Sequence, residues 1–210
     1  MALMPNMMQT LSMDQNQINH MVALHEAGHA VASYLLGRPF DEIALHPQDG
    51  PGVWGSVSVT AGGDISPDDG DWSERDRLEK TIVILLAGPA AECRYTGASP
   101  WAAGGSDLEH VVGIACRRFS WGTEATLRQR VEHLWHRTKD LIYDEENWDC
   151  VQRVAEVLKA FKKIDWNLCG RLIQERQKLR RGKVTEVIKI MNNSDYQRIE
   201  TELSLLLLWK

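Results

Sequence analysis

Small and apolar side chains crowd the stretch VALHEAGHAVASYLLG, residues 22–37, with His25, Glu26 and His29 set among them. The pattern predicts a helix from near Asp14 to Leu36 that stops at Gly37, with Pro39 just beyond. The period then changes. DEIAL and GVWGSVSVT read as two short strands, the second with Val57 and Val59 alternating with Ser56 and Ser58. The turn formers HPQDGPG between them predict a small β element, either a hairpin or a mixed edge. After an acidic loop, Asp71 and Glu74 make a capping box for a helix over WSERDRLEKTIVILLAGPAAECRYTG. Its middle is apolar on nearly every face and is expected to be buried. A second capping box, Ser106 with Glu109, opens SDLEHVVGIACRRFSW.

From Ala125 onward the pattern is helical: 125–143, 146–162, a short helix near 166–178, and a tail from Thr185 that reads as helix or as strand and helix. The expected fold class is mainly α, an α-rich α+β domain with one small β element. Residues 1–14 read as a flexible tail and 15–180 as the domain. Residues 181–210, ending in LSLLLLWK, read as an extension that docks on the core or on another subunit.

Composition narrows the function classes. With 210 residues, 43% hydrophobic and 25% charged, the chain has enough material for one substantial core. A net charge of -5 gives no electrostatic reason to expect a nucleic-acid partner. Neither TIVILLAGPAA nor LSLLLLW approaches the ~20 apolar residues of a spanning helix. The Met-rich N-terminus lacks the basic region and long apolar core of a signal peptide. Cys93, Cys116, Cys150 and Cys169 are far apart and form no CxxC pair, so reduced thiols and a cytoplasmic location are expected.

The chemistry lies in the first helix. At 3.6 residues per turn, His25 and His29 project from nearly one face and can both reach one ion. Glu26 follows the first of them, near enough to act on a water held there. This is the H-E-x-x-H arrangement, in which zinc takes two imidazoles and the Glu serves as general base. Ala27, Gly28, Ala30 and Val31 keep the surroundings apolar, as a buried site requires. A third ligand is needed. Glu92, Asp107 and Glu109 are the candidate carboxylates, with His110, His133 and His136 behind them. Asp107 is the best placed, because a carboxylate at a helix start is favoured by the dipole and can point off the helix end. The same position also suits plain helix-start chemistry, without any metal.

Four blocks, VALHEAGHAVASYLLG, then EIALHP with GVWGSVSVT, then ILLAGPAAECRYTG, then GGSDLEHVVGIACRRF, resemble in order the protease domain of the FtsH-type ATP-dependent zinc metalloproteases. With the helical stretch LWHRTKDLIYDEENWDCVQRVAEVLKAFKKIDWNLCGRLI, the resemblance covers about residues 18–175. It implies that His25, His29 and Asp107 bind Zn²⁺, that Glu26 is catalytic and that Glu92 supports the site. It also implies that the strand Gly55, Ser56, Val57, Ser58, Val59 is an edge on which an extended polypeptide substrate is laid. The chain departs from the family in two ways. No G-x-x-x-x-G-K-[ST] occurs, so no ATP binding by this chain is expected. Pro89 stands where the family usually has Arg.

These features together lead to the expectation of a zinc-dependent metalloendopeptidase, with a separate unfoldase and a second copy of the chain as candidate partners. The alternative is a non-catalytic zinc-containing binding or regulatory module of the same fold. The presence of Glu26, which a purely structural zinc site does not need, weighs for the enzyme.

Overall fold

The computed structural model describes residues 14–47, 53–58, 72–98, 105–118 and 123–180. The expected N-terminal tail before Asp14, the Asp71–Glu74 cap, Val59 and the extension 181–210 lie outside the described residues. Helix α1 spans Gln15–Leu35. Asp14 opens it with a capping box: its carboxylate accepts from the Gln17 N–H at 2.8 Å, and the Gln17 side chain accepts from the Asp14 N–H at 2.9 Å. Gly37, at φ 67, closes it in a left-handed turn. There the Gly37 N–H meets the Tyr34 carbonyl at 3.2 Å and the Arg38 N–H meets that of Ser33 at 2.8 Å.

Strands β1 (Glu42–Pro47) and β2 (Val53–Ser58) pair antiparallel, so the expected β element is a hairpin. A third strand, β3 (Lys163–Asp165), pairs antiparallel with the other side of β1, giving the order β2-β1-β3. Nothing in the residue pattern signals β3. Three residues are too few to show alternation, and its pairing is fixed by β1, more than a hundred positions earlier.

The register assigns every backbone edge. The Leu45 N–H donates to the Lys162 carbonyl at 2.7 Å, so Ile43 and Leu45 turn their polar groups towards β3. Glu42, Ala44 and His46 therefore face β2, where they meet Ser58, Ser56 and Trp54. By the same alternation Val53, Gly55 and Val57 direct their N–H and C=O groups to the outer side of β2. Among the described residues no strand pairs with that side.

The remaining helices are α2 (Trp72–Thr96), α3 (Ser106–Arg118), α4 (Glu124–Tyr143), α5 (Glu145–Phe161) and α6 (Trp166–Arg180). The chain is thus mainly helical with one small antiparallel sheet. The cap of α3 falls one residue earlier than expected: the Glu109 N–H bonds the Gly105 carbonyl at 3.3 Å, so Ser106 is already helical. Asp107 remains in the first turn.

Helix α1 is the centre of the core. Leu24, Ala27 and Val31 are fully buried, in one cluster with Ala87, Ala91, Val154, Leu158 and Ile173 from α2, α5 and α6. Burying a side chain such as Leu24 contributes about 1.5–3 kcal/mol. Small residues let α1 and α2 approach closely. A Cβ on Gly28 would stand 2.6 Å from the Ala87 carbonyl oxygen. A second cluster, Ile82, Val83, Leu86, Val111 and Leu134, joins α2 to α3 and α4. No described helix is long and apolar enough to cross a membrane.

Candidate metal centre

The two imidazoles of α1 meet a carboxylate from α3. His25 Nε2 lies 2.9 Å from Asp107 Oδ2 and 2.9 Å from His29 Nε2, and His29 Nε2 lies 3.5 Å from the same Asp107 oxygen. The outer nitrogens are tied as well. His25 Nδ1 donates to Glu92 Oε1 at 2.8 Å, and His29 Nδ1 donates to the Ile84 carbonyl at 2.7 Å, both partners on α2. With Nδ1 held as donor, each ring turns Nε2 towards the common point. This is how ligating histidines are normally oriented.

The donor set fits a tetrahedral ion. Bonds of about 2.0–2.2 Å to two imidazoles and a carboxylate place the ligand atoms roughly 3.3–3.6 Å apart. The triangle found here is within about half an ångström of that. A second observation bears on the ion's seat. A Cβ built on Gly88 would stand 2.5 Å from His29 Nε2 and 2.6 Å from His25 Nε2. The space beside both nitrogens is therefore kept free by a residue with no side chain. Among the described residues, His25, His29 and Asp107 are the one group of this kind.

Electrostatics follow from burial and crowding. Burial alone would lower the pKa of His25. The hydrogen bonds to Asp107 and Glu92 and the charges of Glu92 and Glu26 outweigh it and raise the value to about 10. Burial would raise Asp107, but its hydrogen bonds to His25 and His29, and their charge, hold it well below the usual carboxylate range. Glu26 is raised, first by burial, with the charges of Asp107 and Glu92 adding to it against those of His29 and His25. Only 6% of Glu26 is exposed, and its carboxylate lies against β2, where a Cβ on Gly55 would overlap it.

The structure therefore brings His25, Glu26, His29, Glu92, Asp107 and Gly55 into one region. Glu109, His110, His133 and His136 are exposed and take no part in the group. Ser56 is exposed on the outer face of the sheet, while Val57 packs against the core. Sequence reasoning missed Gly88 and the Ile84 carbonyl. A signal existed for the first: a glycine inside a long apolar helix costs about 1 kcal/mol relative to Ala, which asks for a local reason. Nothing in a sequence marks a backbone carbonyl. Pro89 follows Gly88 within α2, tolerated there although it removes one helical hydrogen bond.

Compared with known proteins, the chain matches no family model and no curated protein.

Proposed function

We propose that the chain is a zinc-dependent metalloendopeptidase, similar to the protease domain of FtsH-type enzymes, that hydrolyses unfolded or extended polypeptides. The observation that carries this reading is the convergence of His25, His29 and Asp107 on the space left by Gly88, with the Glu26 carboxylate and a strand edge that no described strand pairs with. A zinc ion held by the three ligands would supply Lewis acidity to the scissile carbonyl and to water. Glu26 takes the proton of the attacking water and passes it to the leaving amine. Glu92 and the Ile84 carbonyl hold the two imidazoles in the ligating tautomer. The outer groups of β2 offer backbone pairing to an extended chain, which favours peptides over other hydrolysable substrates.

Folded substrates would reach this site with the help of an unfoldase, and a homo-oligomer of the chain is a second candidate assembly. A cytoplasmic location fits four cysteines scattered along the sequence with no CxxC pair. The test is hydrolysis of casein by zinc-loaded wild type and Glu26→Gln, with bound zinc measured in both. The expected result is cleavage by the wild type and a fall of about 10²–10⁴-fold in the variant at equal zinc content. No cleavage by zinc-loaded wild type would favour the non-catalytic binding module.

A further inference from the structure

The exposed face of the β1–β2 hairpin carries a polar pair that the proposed chemistry does not use. His46 Nε2 lies 2.8 Å from Ser56 Oγ, and both residues are exposed. They stand on the side of the sheet opposite Glu26, since Gly55 faces Glu26 and side chains alternate along a strand. We propose that Ser56, steadied by His46, is a specificity subsite that receives the substrate side chain next to the residue opposite Gly55 and selects a hydrogen-bonding one there. The proposal rests on the endopeptidase reading and on the register of β2.

Only Val53, Gly55 and Val57 offer backbone groups to the outer side, so a strand added there bonds to alternate residues of β2. Gly55 adjoins Glu26, so the bond to be cut lies beside the substrate residue opposite Gly55. That residue turns its side chain inward, to the side of Glu26. The next residue lies opposite Ser56. In antiparallel pairing it forms no backbone bonds with Ser56, and in such pairs the Cα atoms are about 4.5 Å apart and the side chains meet closely on one face. Its side chain therefore rests on Ser56 Oγ. Whichever partner donates in the Ser56–His46 bond, the hydroxyl oxygen keeps a lone pair for a substrate donor. Asn, Gln, Ser and Thr side chains satisfy it; a Leu side chain covers the oxygen and leaves that remaining lone pair unmet.

Fluorescence anisotropy with zinc-loaded Glu26→Gln tests this without hydrolysis. The probes are fluorescein-labelled extended decapeptides, each with one backbone amide N-methylated in turn. The expected result is a loss of binding of about tenfold or more that alternates with period two along the peptide. At the tolerant position between two sensitive ones, Asn should bind about three- to tenfold better than Leu. That preference should vanish when Ser56→Ala is added. Losses without alternation, or a preference that survives Ser56→Ala, overturn the subsite. Cleavage assays with wild type separate the two ideas. Alternation and preference without any cleavage keep the subsite and reject the endopeptidase. Cleavage whose preference is unchanged in Ser56→Ala does the reverse, and absence of binding by every peptide rejects both.

Discussion

At Gly88 a hydrogen atom stands where any other residue would bring a carbon between His25 Nε2 and His29 Nε2. Gly88→Ala should therefore lower zinc affinity at least about a hundredfold, read by competition with a chelator. Its helix content, by circular dichroism, should stay near that of the wild type, since Ala favours a helix by about 1 kcal/mol. Unchanged affinity would show that the ion sits elsewhere. Glu92→Gln keeps an acceptor for the His25 Nδ1–H but removes the charge, and should weaken zinc about 10–100-fold in the same assay. Protons compete for the same place. His25 has a folded-state pKa raised from 6.5 to about 10 in the metal-free protein. Its contribution to the stability of that form is thus complete below pH 6.5 and is lost as pH rises through about 10. For the same reason zinc binding near pH 7 should release protons, measured by calorimetry in buffers of different ionisation enthalpy. His25, Glu26 and His29 were legible because one helix sets their geometry through spacing alone. Asp107 was legible in part, from helix-start chemistry. Gly88 was not, because its role exists only once α2 has been laid across α1.

Element by element, the helices followed from apolar runs bounded by caps, and the hairpin from alternation between turn formers. What escaped was set by distant partners: β3, which takes its pairing from β1, and the α3 cap, where Gly105 supplies a carbonyl rather than Ser106 a side chain. The crossing of α1 and α2 belongs to this scale. Gly28→Ala would drive a Cβ to 2.6 Å from the backbone oxygen of Ala87, which no rotamer change relieves. Overpacking of this kind costs about 1–3 kcal/mol, against ~1 kcal/mol gained in helix propensity. A net destabilisation is expected in urea unfolding, with metal affinity also reduced because both ligand-bearing helices must part. An increase in stability would show that the helices separate more freely than their packing implies.

For the molecule as a whole, the centre ties together three helices that are far apart in the chain. His25 and Glu92 are 67 residues apart, and His25 and Asp107 are 82 apart. An ion bound only by the folded form stabilises it by mass action, about 2.7 kcal/mol at a hundredfold excess over Kd. For a chain of this size that corresponds to a rise of roughly 5–10 °C in Tm. Scanning calorimetry with and without zinc should show the rise, chelation should reverse it, and Gly88→Ala should lack it.

The order in which these parts leave the ribosome has its own consequence. All three candidate ligands lie within the first 107 residues, and the β1–β2 hairpin falls inside the loop that they close. Helices α5 and α6, which complete the apolar surroundings of α1, are made after all three ligands. A nascent chain thus holds every ligand before it holds the walls that fix them. Metal capture by such a chain would be early and loose, and synthesis of α5 and α6 would turn a solvent-accessible chelate into a shaped site.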